Sequence, residues 1–188
     1  MEDRQALFLE RLRAYKPTPY DILPDLGLYM DQVITYIQRQ CRGLYPEGDR
    51  ILTPAMVNNY VKFGLVGRPV DKKYGQDQLA QLLMLCTLKS AATMDEMKRL
   101  MTLPQGESIR EHYECFCRTQ CEVCAKMQQA LPLPDTMTCV VQAACYRFLC
   151  AELLAPDPQE MEKEKEKEKD KGARGETKKD AAEPQSKE

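Results

Sequence analysis

The stretch LTPAMVNNYVKFGL, residues 52–65, predicts a short helix with a start signal and a stop signal. Thr53 is a good N-cap residue, Pro54 is favoured at the first helical position, and Gly64 suits the residue that ends a helix. At about 100° per residue, small, amide and cationic side chains share one side of this helix, and large apolar ones share the other. We expect the apolar side to pack in a core and the polar side to face outward. The polar side consists of Ala55, Asn58, Asn59 and Lys62.

A basic segment follows this helix directly. Residues 67–74 predict a small β-hairpin that turns at Asp71 and carries the cations Arg68, Lys72 and Lys73. Between residues 50 and 103 the chain has 8 Lys and Arg against 4 Asp and Glu, although residues 1–155 as a whole are formally neutral. Such a local excess of positive charge favours a surface that binds nucleic acid. Asn suits the edge of adenine in the major groove, and Lys suits guanine or phosphate.

The order of elements around these two segments has a known counterpart. Apolar residues at helical spacing predict helices over residues 2–15, 29–42, 54–63, 76–90, 93–103, 108–131 and 136–154. Helix, loop, short helix, basic hairpin and two further helices resemble the winged helix-turn-helix of mercury-resistance-regulator (MerR) proteins. The residues that carry this resemblance are Tyr60, Gly64, Leu65, Lys73, Tyr74, Leu79, Leu82, Leu83, Thr93, Glu96 and Leu100.

The chain departs from that pattern at one place. MerR recognition helices have an Arg-Tyr pair where this chain has Asn58 and Asn59, so the DNA contacts of that Arg do not carry over and base preference stays open. The chain is more closely similar to a bacterial family known as domain of unknown function 1836, common in Gram-positive organisms. This second resemblance implies a cytoplasmic, MerR-like helix-turn-helix protein without an assigned reaction. Its motifs here are residues 28–33, 52–62 and 72–74.

We therefore expect an all-α protein. A MerR-like winged helix-turn-helix with a small β-hairpin wing is followed by a C-terminal helical pair and a disordered charged tail. The tail alternates Lys and Glu over residues 162–169 and has too few large apolar side chains to form a core. The expected boundaries are 1–28 for an N-terminal helix and linker, 29–104 for the winged domain, 105–155 for the helical pair and 156–188 for the tail.

The last predicted helix, residues 136–154, is apolar almost all round. A helix of this kind is buried on more than one side. It lies either at the centre of a bundle or against another subunit, so a homodimer through the C-terminal helices is one expected partner. Its apolar residues include Val140, Val141, Ala144, Cys145, Phe148, Leu149 and Leu153.

Nine cysteines without a secretory signal favour reduced thiols and a cytoplasmic location. On one continuous helix Cys117, Cys121 and Cys124 share a stripe, but Cys115 lies about 160° away, so the four cannot surround one ion. We interpret them as core residues and expect no metal or other cofactor. A redox or soft-metal sensor built on Cys117, Cys121 and Cys124 is the weaker alternative. His112 is interpreted as an exposed helix residue.

We derive the expected function from the polar side of the helix at residues 54–63 and from the basic segment at residues 67–74. No phosphate loop, dinucleotide fingerprint or nucleophile elbow occurs, so we expect no enzyme, and no apolar run is long enough to cross a membrane. We expect a regulator that binds double-stranded DNA; the alternative is a non-catalytic protein–protein interaction module that keeps the fold without DNA. The expected DNA-binding residues are Thr53, Ala55, Asn58, Asn59, Lys62, Arg68, Lys72 and Lys73.

Overall fold

The computed structural model describes residues 2–129 and 134–156 of the chain. Within these residues the protein is mostly helical and contains no β-strand, which confirms the predicted helical class. All seven predicted helices are present, and short 3₁₀ turns lie at Tyr20–Ile22 and Arg42–Leu44. The helices are α1 (Glu2–Ala14), α2 (Met30–Cys41), α3 (Pro54–Lys62), α4 (Gln76–Leu88), α5 (Met94–Leu100), α6 (Ile109–Gln129) and α7 (Thr136–Leu153).

Helix α4 forms the centre of the core. It is buried around most of its circumference, which is the position expected for a helix that is apolar on several sides. Helices α2 and α6 pack against it, and α2 contributes Val33, Ile37 and Cys41 from a single face. Helix α6 contributes Tyr113, which is 1% exposed. The buried residues of α4 are Leu79, Ala80, Leu82, Leu83, Met84, Leu85 and Cys86.

The segment between α1 and α2 is held on this core by hydrogen bonds from side chains to backbone carbonyls. The Tyr113 hydroxyl donates to the carbonyl of Thr18 at 2.7 Å. The Gln76 amide donates to the carbonyls of Tyr20 and Leu23 at 3.0 and 3.1 Å. Because carbonyls of an irregular segment need partners, these donors allow it to cover the core without a regular element.

The hairpin predicted over residues 67–74 is not formed as a pair of strands. Val70 and Lys73 exchange backbone hydrogen bonds of 3.0 and 2.8 Å, and this single pair closes a two-residue turn. Asp71 and Lys72 have φ values of 49° and 64°, which is the left-handed geometry of a type I′ turn. The chain therefore turns at Asp71 as predicted, but without the strands of a wing.

Backbone groups beside this turn bind side chains of α4 instead of a second strand. The Gln81 side-chain oxygen accepts from the Gly67 N–H at 3.0 Å, and the Gln78 amide donates to the Arg68 carbonyl at 3.2 Å. Pro69 has no N–H to donate. Tyr74 pairs with Leu28, a residue outside the segment, through two bonds of 2.9 Å. A ladder consequently cannot extend beyond one pair.

Helix α7 lies at the surface of the protein and not at the centre of a bundle. None of its residues is buried, and Phe148, for example, is 71% exposed. Arg147 donates to the Glu96 carboxylate of α5 at 2.9 Å. The alternative that places residues 136–154 at the centre of a bundle is therefore wrong.

The chain separates into two compact units, Met1–Cys150 and Ala151–Glu188. Of the second unit the structure describes residues 151–156, so the predicted charged tail lies outside the described residues from position 157 onward, as do Leu131 and Pro132. The finer domain boundaries expected at residues 28, 104 and 155 stay predictions.

Candidate nucleic-acid interface

Helix α3 is limited at both ends by hydrogen bonds that its sequence provides. The Thr53 hydroxyl accepts from the Met56 N–H at 3.3 Å, and Pro54 occupies the first turn. At the other end Gly64 has a φ of 74°. The Gly64 and Leu65 N–H groups return to the carbonyls of Val61 and Tyr60 at 3.1 and 2.9 Å, which is a Schellman motif. The helix is fixed at nine residues.

The two sides of α3 differ as its sequence predicts. Val57 is fully buried and Tyr60 is 4% exposed. The opposite side is exposed, so the predicted division between core and outer surface is confirmed. In the part of the chain that the structure describes, the side-chain amides of Asn58 and Asn59 have no hydrogen-bond partner. The exposed residues of this outer side, called the amide face below, are Ala55, Asn58, Asn59 and Lys62.

Thr53 differs from the other predicted contact residues. Its side chain is half-buried, and its hydroxyl oxygen already accepts the Met56 N–H. The hydroxyl proton stays available to an acceptor beyond the helix, because a Ser or Thr hydroxyl can donate and accept at once. Its first role is nonetheless to begin α3.

The predicted basic residues of the turn are exposed. In the part of the chain described, Lys62, Arg68 and Lys72 take part in no ion pair. Lys73 lies with its Nζ 5.3 Å from the centre of the Tyr29 ring, a cation–π contact that leaves its charge uncompensated by an acid. Cations without acidic partners are able to attract phosphate groups.

One cation counted in the local excess belongs to the interior. Lys89 is half-buried, its ammonium donates to the carbonyl of Ile51, and it lies 5.3 Å from the Tyr45 ring centre. This carbonyl precedes α3, so Lys89 supports the segment from behind instead of presenting charge to a ligand. The exposed positive charge near α3 is thus smaller than the sequence count suggests.

Sequence reasoning missed the residues that position the basic turn. Gln78 and Gln81 lie one turn apart on α4 and hold Gly67 and Arg68 through their side-chain amides. Tyr29, the ring partner of Lys73, was also unassigned. The only available signal was the spacing of glutamines in the first two turns of α4, and that spacing alone does not identify backbone partners.

The cysteines of α6 occupy three different environments. Cys117 packs partly against the core and Cys124 is half-buried, but Cys115 and Cys121 are exposed. The core interpretation is therefore wrong for Cys115 and Cys121, because α6 meets the rest of the protein along one face only. Burial raises the pKa of the Cys117 and Cys124 thiols, which disfavours the thiolate that binds metals or reacts with oxidants.

No group of three or more His, Cys, Asp and Glu within residues 2–129 and 134–156 is arranged to hold a metal ion. His112 is half-buried, and its Nε2 lies 2.9 Å from the Leu100 carbonyl oxygen. Its Nδ1 lies 3.7 Å from the Glu107 carboxylate. The expectation of an exposed histidine is wrong, since His112 joins the start of α6 to the end of α5.

Comparison with known proteins identifies a family. The family model described as Domain of unknown function (DUF1836) matches residues 18–116, which contain α2 to α5, the amide face and the basic turn. The chain belongs to this family. No curated protein and no solved structure matches the chain significantly. In the described part of the chain, no helix combines the length and apolarity needed to traverse a bilayer.

Proposed function

We propose that this protein is a DNA-binding transcriptional regulator of the MerR-like helix-turn-helix kind, acting in the cytoplasm. Helix α3 enters the major groove of double-stranded DNA, and the turn at residues 67–74 takes the place of a wing beside the backbone. The observation that carries the proposal is the amide face: Asn58 and Asn59 project outward without partners from a helix whose other side is buried.

The chemistry of the amide face suits base edges. An Asn side chain offers one donor and one acceptor in the geometry that adenine presents in the major groove. Ala55 is small enough to let the helix approach closely, and Lys62 reaches phosphate or guanine. Exposed Arg68, Lys72 and Lys73 supply sequence-independent attraction to phosphates, which contributes a large share of DNA affinity.

Replacement of both asparagines tests base reading. We expect the Asn58→Ala, Asn59→Ala variant to keep its free energy of unfolding within about 0.5 kcal/mol, because both side chains are exposed. Affinity for a site selected from random duplexes should fall by one to two orders of magnitude, since a bidentate contact contributes about 1–3 kcal/mol of discrimination. Gel-shift titration on the selected site and on a scrambled duplex measures the change.

The matched control is Gln105→Ala, which removes an exposed amide from a loop remote in sequence from α3. Its affinity should equal that of the wild type. If the double variant binds the selected site as tightly as the wild type does, α3 does not read bases and the proposal fails at its central step.

A second candidate function is a protein-interaction module, and the exposed apolar side chains of α7 favour it. The formal net charge of −2 is also unusual for a protein that coats DNA. Retention on immobilised heparin at low salt, with release as salt rises, separates the two candidates. A regulator is retained, whereas a module without affinity for nucleic acid elutes in the void volume.

A further inference from the structure

Among the described residues of the unit Met1–Cys150, two apolar surfaces have no partner, and we propose that a second copy of the chain joins them. Helix α7 of each copy seats in a groove between α1, α4 and α6 of the other, so that the two copies exchange C-terminal helices reciprocally. This inference concerns self-association and does not depend on DNA binding.

The groove lies beside the C-terminal end of α4. Its volume is about 640 Å³, within the range of roughly 300–1,000 Å³ that is typical of binding pockets. Among the described residues that line it, Asp49 is the one that carries a charge. Val123 and Met127, at its edge, are 57% and 41% exposed, so the apolar lining continues onto the surface of α6. Its principal apolar residues are Phe8, Leu12, Leu88, Phe116, Val123 and Met127.

Helix α7 presents an apolar stripe of matching character. With Arg147 turned toward Glu96, the side chains at about 80–200° from Arg147 around the helix point away from α5. One side chain on this arc carries a charge: Glu152, at about 140° in the last turn of α7. Met137 and Phe148 are each 71% exposed, and Val141 and Leu149 are each 52% exposed. The stripe consists of Met137, Val141, Cys145, Phe148 and Leu149.

Spacing within the stripe is that of a helix that docks in a groove. Its members recur at intervals of three and four residues, as in amphipathic helices that insert anchors into an apolar cleft. Met127 in the groove and Met137 in the stripe are flexible side chains that adapt to a partner's shape. The charges on the two surfaces are Asp49 in the groove and Glu152 in the last turn of α7, one turn beyond Phe148. A groove for a basic peptide would carry more acids.

The same chain does not fill its own groove. No residue of α7 lines it, and the Arg147–Glu96 ion pair of 2.9 Å places α7 against α5. No described residue of the same molecule therefore covers either surface, and a two-fold exchange closes both of them in the same step. With about ten apolar side chains in each of two identical contacts, burial reaches on the order of 1,200 Å², the area of a specific interface.

Sedimentation equilibrium of the full chain in a reducing buffer tests the proposal without DNA, and reductant prevents disulfides between exposed cysteines. We expect a concentration-dependent dimer. Phe148→Glu in the stripe and Val123→Glu in the groove should each weaken association by ~10-fold or more, because each would bury an unpaired carboxylate. Both residues are more than half exposed in the single chain, so circular dichroism should show both variants folded.

Ile22→Glu is the matched control, since Ile22 is 70% exposed and belongs to neither surface. It should dimerise as the wild type does. Mixing these two weakly associating variants gives the sharpest readout, because the α7 of Val123→Glu and the groove of Phe148→Glu are both intact. We expect the mixture to form a heterodimer through that one contact, at an affinity between those of the wild type and the separate variants.

Three results would overturn the proposal. A wild type that stays monomeric at all concentrations excludes any dimer. A dimer that dissociates with Phe148→Glu but not with Val123→Glu means that α7 pairs with another α7 and the groove is open to a different ligand. Failure of the two variants to complement each other excludes reciprocal exchange.

Discussion

Gly64 shows how one residue fixes the length of the candidate recognition helix. Its φ of 74° lies in the left-handed region, and a Cβ added there would meet nothing within 4 Å. We therefore expect Gly64→Ala to destabilise the protein by about 1 kcal/mol, from backbone strain without a steric clash. Urea unfolding followed by circular dichroism measures the difference in the free energy of unfolding.

Gly67→Ala is the control for this prediction. Gly67 has no positive φ, and its added Cβ would lie 3.6 Å or more from the Gln78 and Gln81 side chains, an ordinary contact. It should unfold close to the wild type. Equal stability of the two variants would contradict the backbone strain expected for a side chain at the positive φ of residue 64.

At the scale of single residues, the sequence predicts which side chains are exposed better than it predicts their hydrogen-bond partners. The outward position of Asn58 and the burial of Val57 follow from helical periodicity alone, which is a local property. The contacts of Lys89 and His112 do not, because their partners, the carbonyls of Ile51 and Leu100, approach only when distant segments pack.

At the scale of secondary-structure elements, hydrogen bonds at its N-terminal cap stabilise helix α5. One oxygen of the Glu96 carboxylate accepts from the Thr93 N–H at 2.7 Å, from the Thr93 hydroxyl at 2.9 Å and from Arg147 at 2.9 Å. The Thr93 backbone hydrogen bond, followed by the Thr93 hydroxyl and Arg147, holds the pKa of the Glu96 carboxyl below its usual range. Thr93 and Glu96, three residues apart, thus form a capping box at the start of α5.

A lowered folded-state pKa makes this contribution dependent on pH. Stability from Glu96 is fully present above the ordinary glutamate pKa, about 4–5, and is lost as the pH falls through the lower folded value. We expect Glu96→Gln to be less stable than the wild type at pH 7, with the difference disappearing in acid. Urea unfolding at a series of pH values from neutral to acid measures it.

Glu122→Gln provides the comparison, because in the described part of the chain the Glu122 carboxylate has no hydrogen-bond partner. Its stability relative to the wild type should change little across the same pH series. A difference for Glu96→Gln that persists unchanged in acid would contradict the assigned role of the carboxylate.

Elements with local signals were predictable, and elements defined by distant partners were not. Caps and periodicity located all seven helices. The expected wing failed as a hairpin since Gln78 and Gln81 of α4 satisfy the backbone groups that a strand would have used. The sequence also does not predict the exposure of α7. Helices α4 and α7 are both apolar on several sides, but only α4 is enclosed by neighbouring elements.

At the scale of the whole molecule, the salt dependence of DNA affinity tests the DNA-binding proposal and the dimer proposal together. Lys62, Arg68, Lys72 and Lys73 offer four cations per copy, so the slope of log affinity against log salt should be about −4 for one copy and about −7 for two. We expect the steeper slope for the wild type and the shallower one for Phe148→Glu. Fluorescence anisotropy on a duplex at several salt concentrations measures both.

Arg68→Ala serves as the internal control for that experiment. It should reduce the wild-type slope by about 2, one phosphate contact in each copy. A slope near zero for every variant contradicts DNA binding, while equal slopes for the wild type and Phe148→Glu contradict the dimer on DNA.

The anchoring of the basic turn has a consequence for how this family can diversify. Gly67 and Arg68 are hydrogen-bonded to side chains of α4, and Tyr74 is hydrogen-bonded to Leu28. Asp71 and Lys72 lie at the tip of the turn, beyond these contacts. Insertions or deletions confined to that tip would lengthen or shorten the reach of the cations while the core stays as it is. Such changes of length would alter how far the cations extend at almost no cost to folding.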